Sequence, residues 1–193
     1  AGKVGIVGSS AGGHLAASAS TLAETKPAFS ILFYPVITAE KGKGHQGSFN
    51  ALLGGSRNAE SDTWYSLQNR VTAQTPPTLL LLSDDDKVVP PVNGILYYNA
   101  LKEHGVKASM HIYPTGGHGW GIRDRFKYKE QWQQATLDWL KELNDDRNTA
   151  SVLLRQPGLP GCVDVGIRPA TSRKSAGREL AEAVLQAAVQ EFG

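Results

Sequence analysis

The chain has 193 residues, of which 40% are apolar and 20% are charged, a composition typical of a soluble globular domain with a buried core. Its net charge is only +2 and it has no dense run of Lys and Arg, so nothing in it suggests a nucleic-acid partner. The single cysteine, Cys162, excludes an internal disulfide, and no apolar run is long enough to span a membrane.

The first half of the chain predicts two strands around a helix, followed by an irregular segment. An apolar, β-branched run at residues 4–7 predicts a strand that is buried on both faces. Residues 13–23 are rich in Ala and predict a helix, and residues 29–34 predict the next strand. Residues 38–77 contain many Gly, Ser, Asn and Gln and predict loops with short helices. Such a long irregular segment in a compact domain is usually functional.

The alternation of strand and helix continues in the second half. Residues 78–82 and 108–113 predict strands, and residues 91–104 and 126–143 predict helices. Strands that alternate with helices form βαβ units, in which the strands run parallel. The sequence therefore predicts an α/β fold with a doubly wound, mostly parallel sheet.

The alternating pattern ends near residue 144. We therefore predict a core domain over residues 1–144 and a tail over residues 145–193. The tail is polar and contains several Gly and Pro, and residues 178–192 predict one amphipathic helix within it.

A short motif at the end of the first strand predicts a nucleophile. Residues 8–12 read Gly-Ser-Ser-Ala-Gly and match the G-x-S-x-G pattern, placed between a predicted strand and a predicted helix. Such a turn holds the serine in a strained conformation above the carboxyl end of the sheet, and the flanking glycines let strand and helix pass closely. Ser10 is therefore the candidate nucleophile.

A nucleophilic serine needs a histidine as base. His118 lies in a Gly-rich loop directly after a predicted strand, which is where this fold places its base. His14, on the helix after the motif, is interpreted as a packing or hydrogen-bonding residue.

The histidine in turn needs an orienting acid. Asp84, Asp85 and Asp86 all follow the strand at residues 78–82, in the expected chain order of serine, acid and histidine. Spacing does not choose among these three carboxylates.

Three segments together resemble a known family. GIVGSSAGGHLAAS, SDDDKVVPP and HIYPTGGHGWG resemble the esterase branch of the α/β-hydrolase superfamily, in particular acetyl-xylan and feruloyl-esterase-like carbohydrate esterases. The resemblance covers about residues 2–143. It implies that Asp86, followed by x-V-V-P, is the acid, with Asp85 as the runner-up. It also implies that the backbone N–H of Ala11 is one oxyanion donor.

The expected function is hydrolysis of a carboxylic ester through an acyl-enzyme, without a metal or an organic cofactor. The substrate would be a small ester or an acylated carbohydrate, and Trp120 with part of residues 38–75 would line its entrance. One alternative is a peptidase of the prolyl-oligopeptidase type that uses the same triad. A second is a truncated, inactive fragment that acts as a subunit or interaction module.

The chain also departs from the family pattern. Only a few residues precede the strand at residues 4–7, whereas the family has several earlier strands and a second oxyanion donor among them. We therefore expect the C-terminal half of an α/β-hydrolase sheet, with an exposed sheet edge that favours self-association and with weak or absent turnover of esters. No signal-peptide pattern opens the chain, so its compartment stays open, a secreted or periplasmic location included.

Overall fold

A computed structural model describes residues 4–121 and 123–153, and it describes side chains as far as residue 146. The chain divides into two compact units, residues 1–129 and 130–193. The predicted boundary after residue 144 stays a prediction. Cys162 and the predicted helix over residues 178–192 lie outside the described residues.

The first unit contains a parallel four-stranded sheet. Its strands are arranged in chain order, each paired with the next: β1 (Ile6–Ser9), β2 (Ser30–Phe33), β3 (Thr78–Ser83) and β4 (Ala108–Tyr113). All four strands predicted from the sequence are present, and their parallel pairing confirms the predicted sheet.

The register of the strands brings their carboxyl ends to one edge of the sheet. Ser9 lies opposite Phe33, Phe33 lies opposite Leu81, and Ser83 lies opposite Tyr113. The loops that follow the four strands therefore leave the sheet on the same side. In open α/β sheets this is the side on which ligand sites form.

The two inner strands form the centre of the core. Every residue of β2 and β3 is buried, as expected for continuous apolar runs that are covered on both faces. β1 and β4 are the outer strands of the described sheet and are only partly buried. The self-association predicted for such an edge stays a prediction.

The described residues form five α-helices: α1 (Ser10–Thr21), α2 (Gln46–Leu53), α3 (Ala59–Tyr65), α4 (Val92–Glu103) and α5 (Lys129–Leu153). α1 begins three residues before the predicted start, because Ser10 is itself the first helical residue. α5 begins three residues after its predicted start and runs beyond its predicted end. Residues 38–77 form α2, α3, two short 3₁₀ turns and loops, as the composition predicted.

Small residues on α1 let this helix lie close to the sheet. Ala16 and Ala17 are buried and belong to the same apolar cluster as Leu32 and Leu80 of the inner strands. Tyr97 of α4 is buried in this cluster too. The motif is therefore joined to the buried core through the pairing of β1 with β2 on one side and through α1 on the other. No helix of the described residues is both long and apolar enough to cross a membrane.

Candidate active site

The turn from β1 to α1 holds Ser10 in a backbone conformation that few non-glycine residues adopt. Ser9 is extended, and Ser10 has a φ of 53° and begins the helix. Gly8 is required here, because a Cβ at this position would lie 2.2 Å from the carbonyl oxygen of Gly12. The chain thus turns sharply from strand to helix at the serine, as predicted for a nucleophile elbow.

Gly12, the second glycine of the motif, does not have the role that the sequence suggested for it in the close approach of strand and helix. A Cβ on Gly12 would meet no described atom within 4 Å, whereas one on Gly13 would lie 2.7 Å from Pro35. The close approach of the helix therefore depends on Gly8 and Gly13. The motif pattern did not reveal the role of Gly13, because that role depends on the chain segment after β2.

The first turn of α1 presents backbone N–H groups that have no partner within the helix itself. Ser9 precedes the helix but its side chain makes no capping hydrogen bond. The amide of Ala11, an exposed residue, is therefore not used by a cap, and the amides of a first helical turn have no partner within the helix. This place suits a developing negative charge, because the N-terminal end of a helix carries a partial positive charge.

The structure brings Ser10, His118 and Asp86 together. His118 Nε2 lies 2.8 Å from Ser10 Oγ, and His118 Nδ1 lies 2.7 Å from Asp86 Oδ2. An ionised carboxylate only accepts hydrogen bonds, so Nδ1 carries the proton and Nε2 is left to accept from the serine hydroxyl. These contacts join residues that are 108 and 32 positions apart in the chain.

Asp86 is held firmly in place. Its side chain is only 1% exposed, and its Oδ1 accepts hydrogen bonds from the backbone N–H groups of Val88 and Val89, each at 2.9 Å. One carboxylate oxygen is thus fixed by the following turn while the other faces His118. This arrangement accounts for the position of the acid within the x-V-V-P pattern.

The other two aspartates of the run have different surroundings. Asp85 is exposed and its Oδ1 accepts a hydrogen bond from the N–H of Gly117, at 2.8 Å. Asp84 is exposed too, and its backbone N–H donates to the carbonyl of Tyr113. Asp85 therefore contacts the histidine loop, and Asp86 is the aspartate that contacts the imidazole.

The loop that carries His118 depends on glycine. Gly117 and Gly119 flank the histidine with φ values of 60° and 74°, a region that side chains disfavour. Gly116 also has a positive φ, and a Cβ there would lie 2.4 Å from the ring of Phe126. These glycines let the loop turn sharply enough to direct the imidazole towards Ser10.

Trp120, two residues after His118, is packed among aromatic side chains. Its side chain is 3% exposed and stacks on Phe126 at a centroid distance of 4.0 Å. Phe33, Tyr34 and Tyr113 surround it at centroid distances between 5.2 and 6.1 Å. Trp120 also lines a cavity of about 360 Å³ together with His118, but its main contacts are packing contacts. Its predicted contact with substrate stays a prediction.

A second, larger cavity lies beside α1. It has a volume of about 680 Å³, and its walls include Ala11, Leu15, Phe49 and Leu52. It lies between the nucleophile helix and α2, so part of residues 38–75 lines a cavity next to the residue that follows Ser10. The walls are mainly apolar.

His14 has the packing role that the sequence favoured. Its Nε2 lies 2.8 Å from the carbonyl oxygen of Tyr65, and its ring contacts Phe49 edge-on. Burial lowers the pKa of His14 below its usual value, so the neutral imidazole donates this hydrogen bond. His14 thereby connects α1 to the segment that contains α2 and α3.

Sequence reasoning missed one residue at this site, Tyr34. Its ring lies 4.7 Å from the ring of His118, centroid to centroid. The available signal was its position directly after β2, at the same edge of the sheet as Ser10 and Asp86. Within the described residues, no group of three or more His, Cys, Asp and Glu side chains could hold a metal ion.

The chain is similar to known proteins over most of the described residues. The profile of the prolyl oligopeptidase family matches residues 1–146. An acetylxylan esterase from Xylanibacter ruminicola is 44% identical over 146 residues, which are 72% of this chain and 30% of that protein. The chain thus spans less than a third of this curated relative.

Two solved structures are also similar. An acetyl ester-xyloside bifunctional hydrolase from Caldicellulosiruptor lactoaceticus is 34% identical with a TM-score of 0.67, covering 72% of this chain and 56% of that one. An α/β-hydrolase from a deep-sea metagenome library has a TM-score of 0.59 at 19% identity, covering 75% of this chain and 55% of that one. These matches confirm the predicted α/β-hydrolase fold and the resemblance to esterases.

Proposed function

Because the chain belongs to the prolyl oligopeptidase family, we propose that it carries the catalytic centre of a serine esterase that removes acyl groups from carbohydrates. The observation that carries this proposal is the unbroken chain of hydrogen bonds from Ser10 through His118 to Asp86. Nucleophile, base and orienting acid are the three parts that acyl transfer by a serine requires.

The first step would be formation of an acyl-enzyme. Ser10 Oγ attacks the carbonyl carbon of the ester while His118 Nε2 accepts the hydroxyl proton. Asp86 holds the imidazole through Nδ1 and stabilises the positive charge that forms on it. The carbonyl oxygen becomes negative and accepts a hydrogen bond from the amide of Ala11. When the tetrahedral intermediate collapses, the alcohol leaves with the proton from His118.

The second step would release the acid. A water molecule attacks the carbonyl carbon of the acyl-enzyme and His118 accepts its proton. Collapse of the second intermediate breaks the bond to Ser10 Oγ, and His118 returns the proton to the serine. A single oxyanion donor typically contributes about 10²–10³-fold in rate, so the amide of Ala11 is an important part of this mechanism.

An acetylated sugar is the substrate that the comparisons favour. The acetylxylan esterase and the acetyl ester-xyloside hydrolase are both named for acetyl esters, and both are more than 30% identical to this chain. The apolar cavity beside Ala11 also offers room for a larger acyl group such as feruloyl. We propose that Trp120 shapes the entrance next to His118, with which it lines the smaller cavity.

A comparison of hydrolysis rates on four substrates tests this proposal. Acetylated xylan, 4-nitrophenyl acetate, methyl ferulate and an aminoacyl-proline anilide would be offered to the protein, and initial rates would be compared per active site titrated with a fluorophosphonate. The proposal predicts that acetyl esters are hydrolysed faster than the anilide by several orders of magnitude. Faster cleavage of the anilide would instead support a peptidase, and the absence of both turnover and labelling would support an inactive interaction module.

A further inference from the structure

Two residues other than glycine have a positive φ in the part of the chain that the structure describes. They are Ser10, with a φ of 53°, and Tyr34, with a φ of 34°. This conformation is unfavourable for side chains larger than hydrogen, and a bulky residue keeps it only where its surroundings hold it there. Both residues contact His118. The strain at Ser10 belongs to the nucleophile turn, whereas the strain at Tyr34 needs its own explanation.

The ring of Tyr34 lies against the imidazole. The two centroids are 4.7 Å apart with an angle of 61° between the planes, and Trp120 contacts Tyr34 from another side at 5.2 Å. Tyr34 is only 4% exposed. Its ring therefore restricts rotation of the imidazole away from the orientation that makes both hydrogen bonds.

The hydroxyl group of Tyr34 joins the two halves of the site. It lies within polar contact of the side chain of Ser9, the residue before the nucleophile, and of the backbone of Gly121, in the histidine loop. A Cβ at Gly121 would lie only 3.4 Å from the hydroxyl oxygen, so the loop passes close to it. Burial raises the pKa of Tyr34 to about 12, which keeps the phenol neutral at physiological pH.

The backbone around Tyr34 is fixed to the same elements. Its N–H donates to the carbonyl of Leu81 in β3, at 2.9 Å. Two residues later, the N–H of Val36 donates to the carbonyl of Ser10, at 3.0 Å. Pro35 lies so close to α1 that a Cβ on Gly13 would be 2.7 Å from it. Tyr34 thus has little freedom to move relative to the nucleophile.

We propose that Tyr34 is a positioning residue, which sets the distance and angle between the His118 imidazole and Ser10 Oγ by linking the nucleophile turn to the histidine loop. This inference rests on the proposed function, because positioning matters for rate only if His118 accepts the serine proton. The strained backbone at Tyr34 follows from this role, since it directs the side chain back over the site instead of into solvent.

The test compares two buried tyrosines. Tyr34→Phe keeps the ring and removes the hydroxyl group. Tyr97→Phe makes the same chemical change on α4, at a tyrosine that is 0% exposed and whose hydroxyl has no hydrogen-bond partner among the described residues. The second variant therefore controls for the loss of a buried hydroxyl as such.

The expected result is a change in rate without a change in affinity. Tyr34→Phe should lower kcat and the rate of fluorophosphonate labelling by about 10- to 100-fold, the range typical of a misplaced catalytic group, and should leave KM within about twofold. Tyr97→Phe should leave both rates within about twofold of those of the unmodified protein. Similar rates for the two variants would overturn the positioning role.

A second measurement does not depend on turnover. The proton on His118 Nδ1 is hydrogen-bonded to Asp86 Oδ2. It should therefore give a downfield signal in the proton NMR spectrum of the unmodified protein and of Tyr97→Phe. It should exchange faster with water in Tyr34→Phe. An unchanged signal in Tyr34→Phe would overturn the positioning role even if the protein hydrolyses esters. Absence of both labelling and turnover in the unmodified protein would overturn the proposed function, and the proton signal would still decide the role of Tyr34.

Discussion

The nucleophile turn and the segment over residues 38–75 lie on either side of one cavity but are stabilised in different ways. The turn is shaped by the backbone: β1 pairs with β2, Ser10 has a positive φ, and Gly8 lets α1 pass closely. The segment is shaped mainly by side chains. In the turn, geometry follows from residue types at neighbouring positions. In the segment, it depends on individual side-chain contacts between positions 5 to 11 residues apart.

Arg57 is the centre of the side-chain contacts in that segment. Its guanidinium donates hydrogen bonds to both carboxylate oxygens of Asp62 and also to Asn50 and Gln46. It lies 5.7 Å from the ring of Phe49, which is buried against the cavity. One side chain thus connects α2 with α3. The backbone thus shapes the part of the site that contains Ser10, whereas the neighbouring wall depends on polar contacts between side chains.

The largest effects are expected from the triad. His118→Ala should lower ester turnover by several orders of magnitude, on the order of 10⁴–10⁶-fold, because the serine hydroxyl loses its base. Asp86→Asn should cost on the order of 10³–10⁴-fold through a wrong tautomer. Asp84→Asn should stay within about twofold, because this carboxylate is exposed and the aspartate that contacts His118 is Asp86. Steady-state kinetics on the three purified variants would measure this order, and a larger loss in Asp84→Asn than in Asp86→Asn would contradict it.

The two glycines of the motif should differ in their effect on stability. Gly8→Ala places a methyl group 2.2 Å from a carbonyl oxygen and should destabilise the fold by about 1–3 kcal/mol through overpacking. Gly12→Ala enters open space in a helix and should be neutral or stabilising by up to about 1 kcal/mol. Urea denaturation followed by circular dichroism compares them. Equal losses would mean that the close contact between strand and helix does not depend on Gly8.

Removing the guanidinium of Arg57 should lower the stability of the fold without lowering the reactivity of Ser10. Arg57→Met keeps much of the apolar stem but leaves Asp62 without its partner, so unfolding should become easier by about 1–3 kcal/mol. The rate at which a small fluorophosphonate labels Ser10 should change little, whereas selectivity between acetyl and feruloyl esters should shift. Lys41→Met, an exposed cation of the same segment, is the matched control. A collapse of the labelling rate in Arg57→Met alone would show that the two regions are not independent.

The smallest effect is expected from His14. Its pKa is lowered by burial in the folded state, so the unfolded chain binds more protons as the pH falls through the usual histidine pKa of about 6.5. The stabilisation from neutral His14 is therefore complete above that pH and is lost below it. The free energy of unfolding should fall between pH 7.5 and pH 5.5, and His14→Gln should reduce this fall more than His104→Gln, a change at an exposed position at the end of α4. An equal pH dependence in both variants would rule out His14 as its source.

The sequence predicted the sheet and the placement of Ser10 and His118 because both depend on local patterns. Short apolar runs mark buried strands, and a glycine-rich turn after a strand marks a loop at the carboxyl edge of the sheet. The choice of Asp86 needed the family resemblance. Its basis in the structure is the pair of hydrogen bonds from Val88 and Val89, which a run of three identical residues does not reveal.

The sequence did not predict contacts made across the fold. Tyr34 looked like the last residue of a strand, and its contact with His118 depends on a backbone conformation that no local pattern indicated. Trp120 was expected at the entrance because it follows the base by two residues. Its burial against Phe126 depends on how the next loop folds back. The sequence does not indicate the contacts of Arg57 either, because they join positions up to 11 residues apart in an irregular segment.

The role of Ser10 as an activated nucleophile is tested most directly by mapping a covalent adduct. The protein would be treated with a fluorophosphonate, digested, and its peptides sequenced by mass spectrometry, with His118→Ala and Ser10→Ala as controls. We expect one stoichiometric adduct on Ser10, lost in both variants. An adduct on Ser9 or on another serine, or labelling that persists unchanged in His118→Ala, would contradict the assignment of nucleophile and base.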